Sequence, residues 1–174
     1  MNRVVSQLML TAPDQLLRHT VLEISGNGNV SQLFSLNDMK SETAATIFRD
    51  GIISAGIVSL KLRAYDFQQM PDQFLYIDIT NCIPEKIDLQ NRILILDART
   101  ENPTEFSLLL QKAFNSLSDI NIADIIAATC YMPALLCNFN NEIRPGNSIN
   151  AIIWENCNLP DKKLTSNVSI ANLY

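Results

Sequence analysis

The alternation of apolar and polar residues in the first third of the chain predicts β-strands. The strand candidates are VVSQLMLT, HTVLEIS and VSQLFSL, and the last two flank the sequence GNGN at 26–29. Glycine and asparagine tolerate a positive φ, so GNGN predicts a hairpin turn. A further strand is expected around Ala45–Phe48 and a turn at Asp50–Gly51. IISAGIVSLKL then predicts another strand, in which the alternating Leu60 and Leu62 bury one face.

The middle of the chain changes from strand-like to helical spacing. YDFQQMPDQF predicts a short helix that ends at Pro71. FLYIDIT alternates, and NRILILDART contains an apolar run that is typical of a strand buried on both faces. Asn102 and Asn121 stand at favourable N-cap positions before two amphipathic stretches, so each predicts a helix. Pro133 ends or kinks the second helix, and PALLCNF predicts one further short helix.

The tail of the chain returns to β-structure. A Pro-Gly turn precedes a predicted strand over Ile149–Trp154, and LTSNVSIANLY predicts the final strand. This order of elements predicts an α+β fold in a single domain, 1–174. Residues 1–64 and 143–174 are expected to form the two halves of a composite β-sandwich. Residues 65–142 are expected to form a small βα segment with two or three helices.

Composition and charge narrow the classes of partner. The chain has 174 residues, 47% of them hydrophobic and 18% charged, which is enough apolar material for a packed core. A net charge of −5 without a basic cluster argues against nucleic acid and anionic membranes as partners. No apolar run reaches the roughly 18–20 residues that a membrane span needs. We interpret the opening MNRVVSQLMLTAPDQ as a first strand and not as a signal peptide.

The cysteines and the single histidine argue against a metal site. Cys82, Cys130, Cys137 and Cys157 form no C-x-x-C pair, and they indicate buried thiols in a cytoplasmic protein. A catalytic zinc or iron centre usually recruits several imidazoles, and this chain has one histidine. That residue, His19, precedes an apolar strand and is expected on the surface at a strand end. No metal and no cofactor are therefore expected.

The C-terminal stretch AATCYMPALLCNFNNEIRPGNSINAIIWENCNL combines a helix end, a break, a turn and a hydrophobic strand. In this pattern it resembles the amidohydrolase superfamily of metal-dependent hydrolases, in the branch of deaminases and chlorohydrolases. Asn147 and Asn150 stand where lysine and aspartate are common in that family. The matching positions are Ala128, Thr129, Pro133, Ala134, Ile143, Pro145 and Gly146.

The stretch IFRDGIISAGIVSLKLRAYDF is similar to the same family's segment Phe-Asn-Gly-x-x-x-x-Pro-Gly-Phe-Ile-Asn-x-His-x-His. Gly51 and Gly56 fit the two glycines, and Ala55 replaces the proline. The resemblance implies that the family's first metal-binding histidines correspond to Leu60 and Leu62, or to positions one residue away. Neither placement contains a histidine.

LILDART is similar to the last barrel strand of the family, whose metal-binding aspartate takes the proton of the nucleophile; Asp97 matches that aspartate. A complete barrel needs about 250 residues, so the resemblance implies a shortened and degenerate relative that lacks most of the barrel. Asp97 is then a candidate vestigial catalytic residue. The alternative is a strand-end aspartate that caps the next turn. No other catalytic, cofactor-binding or metal-binding residue is nominated.

Two functions follow from this resemblance. The first is a non-catalytic descendant of an amidohydrolase that binds a protein partner, or a second copy of itself, through surface that the lost barrel used to cover. The alternative is a residual amidohydrolase-like hydrolase acting on C–N bonds, with a rebuilt or partner-completed active site. Bound zinc or iron in the purified protein would contradict the first, whereas a metal-free stable dimer would count against the second.

Overall fold

The structure, a computed structural model, describes residues 2–38, 46–81, 83–148 and 150–173. Three predicted features lie outside these ranges: the strand positions at Ala45 and Ile149, and the buried thiol of Cys82. The main element is a mixed six-stranded sheet with the strand order β3-β2-β1-β4-β7-β8. Its strands are β1 Asn2–Ala12, β2 Gln15–Ile24, β3 Val30–Ser35, β4 Thr46–Ser54, β7 Ile152–Glu155 and β8 Ser169–Asn172.

Within the described residues, a second, smaller sheet and four short α-helices lie in the middle of the chain. The second sheet joins β5, Phe74–Asp78, to β6, Ile93–Asp97, in parallel. The helices are α1 Pro103–Lys112, α2 Phe114–Leu117, α3 Ile122–Ile126 and α4 Met132–Leu136. A short 3₁₀ helix over Phe67–Gln69 precedes Pro71, as predicted. The predicted α+β class is confirmed.

The predicted N-caps of the two longer helical stretches are confirmed. The Asn102 side chain accepts hydrogen bonds from the backbone N–H groups of Thr104 and Glu105, at 3.0 and 3.1 Å. The Asn121 side chain accepts from the Ala123 N–H at 2.9 Å. Each asparagine therefore satisfies N–H groups that the first helical turn leaves without a partner.

The two ends of the chain meet in the six-stranded sheet because β4 pairs with β7 in antiparallel orientation. β1 to β4 come from the N-terminal part, β7 and β8 from the C-terminal part, and all six are hydrogen bonded side by side. The hairpin predicted at GNGN joins β2 to β3, and Gly28 there has a φ of +82°. Strands from both ends of the chain therefore pair within one mixed sheet, where the sequence predicts two halves of a β-sandwich.

The turn predicted at Asp50–Gly51 is wrong, because β4 runs through these residues without reversing. Ser6 of β1 pairs with Arg49 of β4, and Leu8 pairs with Ile52. One residue of β1 therefore lies opposite two residues of β4, so β4 carries one extra residue as a bulge. Gly51 has a φ of +146°, and a Cβ added there would lie 2.3 Å from the carbonyl oxygen of Trp154. The glycine is thus required for close packing of β4 against β7.

Pro133 does not end the second helical stretch. α3 continues through a π-helical segment, Ala127–Tyr131, directly into α4. Proline has no N–H, so the carbonyl of Thr129, four residues earlier, is left without its helical donor. The Val58 N–H donates to that carbonyl instead, at 3.1 Å. The wide helical turn therefore anchors the chain that follows β4.

One core connects the six-stranded sheet with the helices. Its fully buried large side chains include Trp154, Phe106, Met9 and Leu110. Cys130 is buried as expected, whereas Cys137 and Cys157 are half-buried. Within the described residues, no helix is long and apolar enough to cross a membrane.

Candidate functional site

The chain that follows β4, here called the post-β4 segment (residues 55–62), threads through the interior without joining a sheet. Its residues 55–60 are all buried. Buried N–H groups need partners, and several of those in this segment donate to side chains of other elements. The N–H donors and their acceptors are Ala55 to the Tyr131 hydroxyl at 3.1 Å, Ser59 to the Glu101 carboxylate at 3.0 Å and Lys61 to the Asp97 carboxylate at 3.1 Å.

Asp97 is the last residue of β6 and lies beside Asp78, the last residue of β5. The Asp97 side chain is completely buried. Its Oδ2 accepts hydrogen bonds from the Lys61 N–H and from the Tyr76 hydroxyl, both at 3.1 Å, and its Oδ1 accepts from the Ala98 N–H at 2.8 Å. Asp97 therefore fastens the post-β4 segment to the small parallel sheet.

The pKa of Asp97 is raised above its ordinary value by burial, although the hydrogen bonds from Lys61 and Tyr76 oppose that effect. Burial, followed by the charge of Asp97, also raises the pKa of the Tyr76 hydroxyl. The tyrosine therefore stays protonated and donates its hydrogen bond to the carboxylate. A buried carboxyl with a perturbed pKa is a known mark of functional sites, but structural networks produce the same shift.

Asp78 and Lys61 form a partly buried ion pair at the same end of the parallel strands. Asn81 donates to the Asp78 carboxylate from its side chain at 2.7 Å, and Thr80 donates from its N–H at 3.0 Å. Burial alone would raise the pKa of Asp78, but the hydrogen bonds from Lys61, Asn81 and Thr80 outweigh it and lower the pKa to about 2. Asp78 is therefore ionised at neutral pH.

The expectation that Leu60 and Leu62 bury one strand face is wrong. The chain turns at this point, since the Arg63 N–H donates to the Ser59 carbonyl and the Tyr65 N–H donates to the Leu60 carbonyl. Leu60 is fully buried, whereas Leu62 is 57% exposed. A turn rotates alternate side chains to different sides, so the period-two pattern of a strand does not hold here.

Leu62 instead contributes to an open cavity of about 410 Å³, here called the cationic cleft, which is lined by Lys61, Leu62, Tyr65, Phe67 and Arg99. The rings of Tyr65 and Phe67 make an edge-to-face contact, with centroids 5.6 Å apart. The Lys61 backbone reaches Asp97 while its side chain lines the cleft. Asp97 itself does not line the cleft, although its carboxylate accepts a hydrogen bond from the N–H of Lys61, which does.

The remaining candidates from the sequence do not join this site. His19 is exposed, as expected, but it lies within β2 and not at a strand end. It lines a different cavity of about 360 Å³, together with Phe48, Arg49 and Asp50. Among the described residues, no group of three or more histidine, cysteine, aspartate and glutamate side chains could hold a metal ion.

Sequence reasoning missed Asp78, Tyr76 and Arg99 as members of this region. One signal was available, because two apolar strand candidates, FLYID and RILILD, both end in aspartate. The carboxyl ends of parallel strands meet at one edge of a sheet, so two such endings place their carboxylates together. The parallel pairing itself is what the sequence pattern does not reveal.

Comparison with known proteins gives limited information. No protein-family model matches the chain, and none of the curated proteins compared with it matches. Among solved structures, part of the chain is similar to N-acetyl-D-glucosamine-6-phosphate deacetylase from Mycobacterium smegmatis, at 19% identity and a TM-score of 0.28. The match covers 34% of this chain and 15% of the deacetylase. At that TM-score the likeness carries no argument for a shared fold or activity.

Proposed function

We propose that the protein is a non-catalytic relative of the amidohydrolases that works by binding a protein partner in the cationic cleft. The observation that supports this best is the position of Asp97. Its carboxylate is fully buried, and both oxygens accept hydrogen bonds from groups that hold the fold together. A general base must reach the proton that it abstracts, and Asp97 does not line the cleft.

The cleft has the chemistry of a docking surface. Leu62 and Phe67 are 57% and 40% exposed, so apolar area is available for burial. The Lys61 charge is compensated by Asp78. The Arg99 guanidinium makes no hydrogen bond and no ion pair in the part of the chain that the structure describes. A partner segment that carries a carboxylate next to an apolar side chain fits this combination.

Site-specific photo-crosslinking in the cell that makes the protein tests the proposal. A photo-reactive residue replaces Leu62 in one variant and Leu108, a similarly exposed leucine on α1, in the control. We expect a crosslinked species heavier than the 19.5 kDa chain from position 62 only, and we expect Arg99→Glu in the same variant to remove it. Equal crosslinking from both positions, or none from position 62, would contradict the proposal.

A hydrolase that acts on C–N bonds is the second candidate, and the raised pKa of Asp97 beside Lys61 and Tyr76 favours it. Purified protein is assayed on a panel of amide and amidine substrates, and its zinc and iron content is measured. Turnover that disappears in Asp97→Asn while the variant stays folded would replace the binding proposal. Absence of turnover in the wild type would remove this candidate.

A further inference from the structure

The backbone groups at the two edges of the six-stranded sheet have different hydrogen-bond partners. At the β8 edge, helix α1 supplies side-chain partners to the backbone. The Ile170 N–H donates to the Ser107 hydroxyl at 2.8 Å, and the Gln111 side chain donates to the Val168 carbonyl at 2.7 Å. Covering an edge with a helix prevents it from pairing with another strand. Helix α1 therefore covers the start of the β8 edge, up to Ile170.

The β3 edge is closed only at its first residue. The Val30 N–H donates to the Asn147 carbonyl at 2.9 Å, and the Val30 carbonyl accepts from the Gly146 N–H at 2.8 Å. From residue 31 to residue 35, the side of β3 that faces away from β2 makes no backbone hydrogen bond with any residue that the structure describes. Within the described part of the chain, this stretch of the edge therefore presents unpaired N–H and C=O groups.

The composition of β3 does not protect this edge. Its sequence, VSQLFS, contains no charged residue and no proline, the two side-chain devices that commonly keep edge strands apart. The register against β2 shifts once, between Glu23 and Ile24, next to the covered Val30. Beyond that shift the pairing from Gln32 to Ser35 is regular. A regular, uncharged edge is a template for another strand.

We propose that β3 pairs in antiparallel orientation with β3 of a second copy of this chain. A two-fold axis between the two copies of the strand gives both edges their missing partners at once, which is the self-complementary geometry of most homodimers. The chain carries a net charge of −5, and an uncharged strand lets two such copies approach without opposing like charges. Two-fold pairing occupies the β3 edge of both copies, and α1 covers the start of the β8 edge, so we expect assembly through this sheet to stop at a dimer. This inference is independent of the cleft.

Sedimentation of the purified full chain over a wide range of concentration tests the inference. We expect a species of twice 19.5 kDa for the wild type. The double variant Gln32→Lys, Ser35→Lys places lysines near their symmetry mates and is expected to sediment as a monomer. The matched control, Ala171→Lys, Asn172→Lys on β8, adds the same charge at the opposite edge of the sheet and is expected to remain dimeric.

Three results would overturn the inference: a monomeric wild type, a dimer that survives the β3 lysines, or equal dissociation of the control. Circular dichroism shows whether each variant is folded. Amide hydrogen exchange of the wild type supplies a second measurement that needs no variant. Exchange at residues 31–35 is expected to slow as protein concentration rises, whereas a rate independent of concentration would contradict pairing at this edge.

Discussion

Replacement of Asp97 distinguishes a residue that holds the fold from one kept for chemistry. Asp97→Ala leaves the Lys61 N–H and the Tyr76 hydroxyl without their acceptor. An unsatisfied buried donor costs about 1–3 kcal/mol, and water replaces part of the loss at partly exposed groups, so we expect a loss of about 2–4 kcal/mol in the free energy of unfolding. Asp97→Asn keeps an acceptor oxygen for both donors and is expected to lose about 0.5–1.5 kcal/mol.

The pH dependence of the stability difference between wild type and Asp97→Asn provides a second, independent test. Burial raises the folded-state pKa of Asp97 above the ordinary value of 3.8, so ionisation is less favourable in the folded protein than in the unfolded chain. The stabilising contribution of Asp97 is therefore complete below about pH 3.8 and declines as the pH rises through the folded-state pKa. Asparagine does not titrate. The stability gap between wild type and Asp97→Asn should therefore narrow as the pH increases.

Urea unfolding followed by tryptophan fluorescence measures both effects. The chain has a single tryptophan, Trp154, which is fully buried and reports directly on the core. A loss below about 1 kcal/mol for Asp97→Ala would refute the structural role, because two partners would then be dispensable. A gap to Asp97→Asn that widens with rising pH would show that the folded state favours the ionised carboxylate, against the reasoning from burial.

Three further predictions concern other parts of the structure. Gly51→Ala places a Cβ 2.3 Å from the Trp154 carbonyl oxygen at a φ of +146°. We therefore expect it to lower the free energy of unfolding in urea by about 2–4 kcal/mol. A loss under about 1 kcal/mol would show that the bulge relaxes to make room. Asp78, with its pKa lowered to about 2, stabilises the fold above pH 3.8 and loses that contribution as the pH falls through about 2. Lys61→Met should raise the Asp78 pKa in an NMR titration, and an unchanged value would contradict the ion pair. Burial raises the pKa of the Cys130 thiol to about 12. Iodoacetamide at neutral pH should therefore label this thiol only when the protein unfolds, and mass spectrometry measures the labelling. Rapid labelling of the folded protein would contradict the buried position.

The sequence predicts local structure well wherever the signal is local. Asn102 and Asn121 cap helices through their own side chains, and the turn at Gly28 needs only the residues around it. The interpretation of Gly51 fails for a physical reason. An Asp-Gly pair is a turn signal by itself. Here the glycine is required because the carbonyl of Trp154, about a hundred residues further along the chain, leaves no room for a Cβ.

The surroundings of Asp97 depend on pairings that no local pattern encodes. Its strand was predicted, and its position at the strand end was predicted with it. Its principal partners, Lys61 and Tyr76, come from a turn and from a parallel neighbour strand. Parallel pairing requires a crossover whose partner cannot be chosen from alternation alone. The arrangement around Asp97 therefore emerges only once β5 and β6 are placed side by side.

The turn after Ser59 places the side chains at positions 60 and 62 differently from what the family resemblance implies. Two side chains with one residue between them lie on the same face only while the chain stays extended, and a His-x-His pair depends on that geometry. Here Leu60 enters the core and Leu62 enters the cationic cleft. The backbone N–H between them, from Lys61, is held by Asp97, the carboxylate that the resemblance assigns to the metal. The aspartate thus stabilises the turn that keeps the side chains at positions 60 and 62 apart, so this backbone conformation would not present two ligands at those positions to one metal ion.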